Sequence, residues 1–350
     1  MTIDVSGAKN VLIIRTDHLG DLLLSTPLIR TLRSLMPGRR FVLVSSPANA
    51  GALNGWDALD GELVFDPSWS LARKCKFLIE LRRTRWDLCL TLAPRTRSYV
   101  LGWLSGAPLR TGIVYARRVL VRLLARLWLT HPVVVDSRTL LETGRPVPHE
   151  VVQLARIAAQ FSLSTIHPGP LEFPLDPTDV AWARGWLTSR PNSLIGIHGA
   201  AKWLSGGWTA VDFLDLVRAI AALCPDTKVA LTFGPGDTAL QEAVKTSLAS
   251  APISGVLLPG QLTISRWAGL FSLCRVIISP DTGSLHLAVA LGRPVVAMYE
   301  PGNFLHCSSQ WAPWQVPCAV TRRESPTITL PRVVDETRRL LEISTPEVPV

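Results

Sequence analysis

Short apolar runs recur along the chain and alternate with longer stretches whose apolar positions return every three to four residues. Runs at 11–14, 41–45, 88–92 and 133–135 read as buried strands, and the stretches 21–35, 71–83 and 117–127 as helices. A further helical pattern covers 149–161. The passage 167–177 is rich in proline and reads as a linker. The rhythm then restarts, with strands at 194–198, 228–233, 255–258, 276–279 and 295–298, helices at 210–223, 238–248, 264–273 and 285–291, and a helical tail at 330–343. Strands separated by helices predict parallel sheets. The expected organisation is α/β: a Rossmann-like domain over 1–166, the linker, a second Rossmann-like domain over 178–325, and a C-terminal helix and tail over 326–350.

Two strand-to-helix turns stand out because their residues suit ligand binding. After the apolar run 274–279, Pro280 stops the strand, and Asp281-Thr282-Gly283-Ser284 supply cap residues for a helix. Free N–H groups and the helix dipole attract an anion there, Thr282 and Ser284 add hydroxyl donors, and Gly283 admits close approach. This helix is expected to bury Leu285, Ala288, Val289 and Leu291 and to stop at Gly292. At the other end, the run 10–15 leads into Thr16-Asp17-His18-Leu19-Gly20-Asp21. Gly20 is expected to make a tight turn that carries Asp21 to the mouth of the sheet, and Pro27 sits early in the helix that follows.

These two segments, Arg15-Thr-Asp-His-Leu-Gly-Asp-Leu-Leu-Leu-Ser-Thr-Pro-Leu and Asp281-Thr-Gly-Ser-Leu-His-Leu-Ala-Val-Ala-Leu-Gly-Arg-Pro-Val-Val-Ala, resemble the two signatures of glycosyltransferase family 9, the lipopolysaccharide heptosyltransferases. Their order and separation also match. The resemblance implies the glycosyltransferase B architecture, two Rossmann-like domains facing across a cleft. It further implies inverting, metal-independent transfer of a sugar, heptose from ADP-heptose, to an anionic inner-core acceptor. The family position of the general base falls on Asp21, and the Thr282–Ser284 helix start would take the leaving pyrophosphate. Asp281 would lie beside the donor, His286 would contact its phosphate or sugar, Asp237 would bind ribose hydroxyls, and His18 and Gly20 would line the acceptor site. From the residues alone, Asp21, Asp237 and Asp281 also suit helix caps, Asp17 suits a cap better than a base, and His18 and His286 also suit turn and packing roles.

Two departures from the family pattern bear on the donor. The family carries a lysine two residues before Trp208, where Gly206 stands here, and Lys202 is the nearby cation with the reach to replace it. Tyr299-Glu300-Pro301-Gly302 stands where the family tends towards a Phe-Gly-Pro-Thr-like turn. A transferase with another nucleotide-sugar donor or acceptor, or an inactive nucleotide-sugar-binding protein, therefore remains open as an alternative. A dinucleotide oxidoreductase would want Gly-x-Gly-x-x-Gly after the first strand, and the loop from Thr16 to Asp21 has one glycine.

Charge narrows the partner. The chain has 36 Lys and Arg against 27 Asp and Glu, and thirteen of the cations fall between Arg73 and Arg126 against only Glu80 and Asp87, so that half should meet an anion. Arg15, Arg95, Arg97 and Arg110, the last expected in a loop, are the candidate acceptor contacts. Arg118, Arg122 and Arg126 recur every four residues among aliphatic neighbours, which suits either a helix lying on a membrane surface or a core helix with a solvated side. No nucleic-acid motif accompanies the charge. Six scattered cysteines without Cys-x-x-Cys spacing read as reduced thiols rather than a disulfide frame or metal site. No stretch approaches the apolar length needed to span a bilayer, and residues 1–10 lack signal-peptide order, so the expected location is the cytoplasm, at the inner face of the membrane.

Overall fold

The computed structural model describes residues 3–143, 145, 147–161, 166–187, 193–223 and 227–343 and divides into two units, Met1–Pro174 and Leu175–Val350. In the first unit the order is β1 (Asn10–Ile14), α1 (Leu19–Leu24), α2 (Thr26–Leu35), β2 (Arg40–Ser45), β3 (Gly61–Val64), α3 (Leu71–Arg83) and β4 (Leu88–Thr91). It continues with α4 (Thr96–Leu104), β5 (Leu109–Tyr115), α5 (Val119–Trp128), β6 (His131–Val135), α6 (Ser137–Glu142) and α7 (Glu150–Ala158). All six strands are parallel, in the order β3-β2-β1-β4-β5-β6. Strands buried on both faces read as continuous apolar runs, as β1 and β4 do.

The second unit begins with α8 (Pro177–Trp186) and β7 (Ser193–Gly199). A 3₁₀ segment (Ala201–Gly207), α9 (Ala210–Ala221), β8 (Thr227–Phe233), α10 (Thr238–Ser250), β9 (Val256–Leu257) and α11 (Ile264–Ser272) follow. The chain continues through β10 (Val276–Pro280), α12 (Gly283–Ala290), β11 (Val295–Tyr299), α13 (Phe304–Gln310), β12 (Cys318–Arg322) and α14 (Pro326–Ile343). Its parallel sheet has the order β12-β11-β10-β7-β8-β9. Read from the first strand of each unit, both sheets follow the same doubly wound path: the chain builds outward to one edge, returns to the centre, and builds to the other. The reversal falls between β1 and β4 in the first unit and between β7 and β10 in the second. A crevice for ligands opens at such a point, beyond the carboxyl ends of the two central strands.

Several local expectations are corrected. The helix expected over 21–35 is two helices. His18, in extended backbone, makes the turn, so Gly20 is the buried second residue of α1 rather than a tight turn. At Ser25 the first helix closes, with the Ser25 hydroxyl donating to the Asp21 carbonyl at 2.8 Å, and Pro27 opens α2, where its missing N–H costs least. Arg110 lies in β5 and not in a loop, because the pairing of β5 with β4 and β6 outweighs the polar start of that segment. β3, α4, β5, α6, α8, α13 and β12 fall outside the expected elements; β3 is a half-exposed edge strand and α8 buries only Ala183, so neither shows a clean apolar period. Pro280 pairs with Met298 as the last residue of β10, and Leu291 is half-buried rather than buried.

The proline-rich passage is anchored on the first unit up to its boundary. The Glu172 carboxylate accepts from Arg30 Nε at 2.9 Å and from Trp56 Nε1 at 2.8 Å, and the Glu172 N–H donates to the Thr26 hydroxyl at 2.9 Å. Pro177, at the passage's end, opens α8 with Asp176 as its cap. Among the described cysteines, Cys75, Cys89, Cys274, Cys307 and Cys318 are free thiols; Cys224 lies outside the described residues.

Helix α5 packs on a core, as one reading of the Arg118–Arg122–Arg126 segment expects, but its solvated side is aliphatic as well as basic. It rests on the unit through Val121, Ala125 and Trp128, against Tyr99 and Val114. Val119, Leu120, Leu123, Leu124 and Leu127 are exposed, Leu120 to 75%. No helix among the described residues is long and apolar enough to cross a membrane.

Candidate functional site

At the reversal point of the first unit, Arg15 leaves β1 with a side chain only 1% exposed. Its Nε lies 3.2 Å from Asp17 and its Nη2 lies 3.3 Å from Asp21 and 3.8 Å from Glu150. The same guanidinium donates to the carbonyls of Asp21 and Leu92. Burial works against the arginine's charge, but Asp17, Asp21 and Glu150 together outweigh it and raise its pKa. Burial pushes the Asp17 carboxyl up, against the pull of Arg15. Neither Asp17 nor Asp21 caps α1: the cap position is His18, whose exposed ring makes no cap bond. Asp21 is the third residue of α1, and its side chain is 26% exposed.

The four arginines expected to meet an acceptor divide into two pairs. Arg95, at the N-cap of α4, and Arg97, in its first turn, are exposed just beyond β4. Arg15 is an internal anchor, and Arg110 donates to the carbonyls of Trp128 and Ala107. Glu150, buried at the start of α7, was missed because an acid opening an apolar helix reads as an ordinary first-turn residue.

At the reversal point of the second unit, the segment after β7 meets the segment after β10. Lys202 Nζ donates to the Asp281 carbonyl and lies 3.6 Å from the Asp281 carboxylate. Thr282 is the N-cap of α12, yet its hydroxyl does not cap the helix. It lies 3.2 Å from the Pro280 carbonyl and 2.6 Å from the Ser284 hydroxyl, which is 2.5 Å from that of Ser279. The expected capping by Thr282 is thus corrected: the hydroxyls of Ser279, Thr282 and Ser284 engage one another, and the Thr282 side chain leaves the amide end of the helix uncapped. Gly283 begins the helix, and His286, 4% exposed, lies within its first turns.

Asp237 stands at the N-cap position of α10 but binds elsewhere, accepting from the N–H groups of Ala201 at 2.7 Å and Gly234 at 3.1 Å. It therefore ties the loop after β8 to the 3₁₀ segment that carries Lys202. Under this floor His198, fully buried at the end of β7, contacts Thr232 and the Trp267 ring, and burial pushes its pKa down to about 3. A cavity of about 130 Å³ opens beside Lys202 and Asp281 and is also lined by Glu300, Cys307 and Arg323. Glu300 appeared in the sequence only as part of an unusual turn, and Arg323 carried no signal.

The sequence model of glycosyltransferase family 9 (heptosyltransferase) matches residues 75–334. No curated protein matches the chain by sequence. Among solved structures, the chain is similar to a family 9 glycosyl transferase from Veillonella parvula DSM 2008, with 20% identity and a TM-score of 0.79 over 98% of this chain and 99% of that one. It is also similar to the ADP-heptose lps heptosyltransferase II of E. coli, with 19% identity and a TM-score of 0.75 over 95% and 98% of the two chains. The E. coli heptosyltransferase WaaC, solved with ADP, gives 18% identity and a TM-score of 0.72 over 95% and 99%. These likenesses establish the glycosyltransferase B type of α/β fold, and with the family match they show that this chain belongs to glycosyltransferase family 9, the heptosyltransferase family, and is a glycosyltransferase.

Proposed function

We propose that the chain transfers heptose from ADP-heptose to an anionic lipopolysaccharide inner-core acceptor, with inversion at the anomeric carbon and without a metal ion. The observation that carries this reading is the placement of Asp21 and of the Lys202–Ser284 cluster, each beyond the central strands where its own sheet reverses. The E. coli relatives are an ADP-heptose lps heptosyltransferase and a heptosyltransferase solved with ADP, which supports the choice of donor.

In this mechanism Asp21 is the general base. The acceptor hydroxyl gives its proton to the Asp21 carboxylate as its oxygen attacks the anomeric carbon, and the bond from that carbon to the diphosphate breaks with its electron pair leaving on ADP. Arg15 holds the carboxylate in place, and exposed Arg95, Arg97 and His18 receive the acceptor's anionic groups. Gly20 contributes backbone only, and Arg110 supports β5 from within. On the donor side, Lys202 and the N–H groups of Gly283 and Ser284 at the helix start take the charge of the leaving diphosphate. His286 lies next to this seat, Asp281 orients Lys202, and Asp237 keeps lone pairs for ribose hydroxyls.

The acceptor is a membrane glycolipid, and the exposed aliphatic face of α5, flanked by Arg117, Arg122 and Arg126, supports peripheral contact with the cytoplasmic face of the inner membrane. Incubation with ADP-heptose and heptose-deficient lipopolysaccharide, in the presence of a chelator, tests the reaction. Release of ADP and an inverted anomeric configuration in the product are expected. No transfer from ADP-heptose, but turnover of another nucleotide sugar, would reject the heptose assignment.

A further inference from the structure

The two departures from the family pattern, Gly206 and Glu300, meet in one cluster around Arg323. Arg323 follows β12, its N–H bonds to the Tyr299 carbonyl at 2.9 Å, and its side chain is 3% exposed. The guanidinium donates to the Ser205 hydroxyl and lies 3.7 Å from Glu300, and Ser205 Oγ is 2.7 Å from the same carboxylate. Gly206 has a left-handed backbone, φ +69°, and a Cβ built on it would lie 3.8 Å from Arg323 Nη2. The arginine head therefore occupies the space next to the position from which the family's lysine would extend.

We propose that Arg323 is a phosphate-binding residue of the donor site and supplies, from just beyond β12, the positive charge that the family's lysine would bring where Gly206 stands. The ligand class is the diphosphate of a nucleoside diphosphate sugar; the inference rests on the reading that the second unit binds such a donor. Arg323 and Lys202 line the same cavity of about 130 Å³, which opens beside the start of α12. A buried cation needs a full complement of partners, and its carboxylate partner, Glu300, is 43% exposed and stands beyond hydrogen-bond distance. An entering phosphate completes that complement, and the planar guanidinium matches its oxygens in pairs, which an ammonium does not. Glu300 competes with the ligand for Arg323.

Titration calorimetry with ADP and UDP, and with adenosine and uridine as uncharged controls, tests this on the full chain. The wild type is expected to bind at least one diphosphate. Arg323→Ala is expected to weaken that binding tenfold or more while leaving the matching nucleoside unchanged, and Arg323→Lys to fall between. Glu300→Gln, at a half-exposed position that tolerates change, is expected to tighten diphosphate binding about threefold by removing the competing charge. Diphosphate binding that Arg323→Ala leaves intact, or that Glu300→Gln leaves unchanged or weakens, overturns the inference and leaves the donor reading standing. Equal loss of nucleoside and diphosphate binding in Arg323→Ala also overturns it, in favour of a structural role. A wild type that binds neither diphosphate defeats the donor reading itself.

Discussion

The Asp21 carboxylate lies 3.3 Å from Nη2 of Arg15, and Nε of the same arginine donates to the Asp21 carbonyl at 3.0 Å. One side chain thus fixes both the backbone and the carboxylate of the proposed base. Asp21→Asn keeps the shape and removes the proton acceptor, so turnover should fall by about a hundredfold or more while donor affinity holds. Steady-state rates measured beside calorimetric donor binding check the split; parallel loss of both would assign Asp21 to the fold.

Arg15 is also the cation that neutralises Asp17 and Glu150 inside the first unit. Arg15→Met leaves those acids buried without it and should cost about 3–5 kcal/mol of stability. Denaturant unfolding reads this directly, and a midpoint equal to wild type would show that the acids find other partners.

His198 gives the fold an acid-sensitive element. Its native pKa of about 3 lies below the ordinary 6.5, so the unfolded chain takes the proton first. The contribution is complete above pH 6.5 and is lost as pH falls towards 3, with a slope of up to about 1.4 kcal/mol per pH unit. Thermal melts across that range should show the decline, and His198→Gln should flatten it.

Gly269 on α11 packs against the backbone of α8. A Cβ there would stand 2.5 Å from the Asp179 carbonyl oxygen, so Gly269→Ala must push the helices apart. The expected cost is about 1–3 kcal/mol, read as a lowered melting temperature.

For α5 the expected effect is on membranes and not on folding. Replacing Leu120, Leu123 and Leu127 by Gln removes exposed apolar surface, and each leucine inserted into a bilayer is worth about 1.5–3 kcal/mol at most. Sedimentation with anionic vesicles should fall more than tenfold with the melting temperature unchanged. Vesicle binding equal to that of the wild type would remove α5 from the membrane contact.

The sequence by itself determined the alternation of strands and helices, the two signature turns and the family, because buried parallel strands and helix starts leave short-range patterns in residue type. Thus β1, β2, β4, β10 and α12 were legible in their apolar runs and in the polar residues that follow them. The break at Ser25, the strand that holds Arg110 and the exposure of α5 were not, since pairing and burial depend on neighbours distant in the chain. The tertiary structure alone decided that Arg15 serves Asp21, Asp17 and Glu150, and that Arg323 reaches the space beside Gly206, 117 positions earlier in the sequence. A charge acts through distance in space, and only the folded sheets bring those residues within a few ångströms.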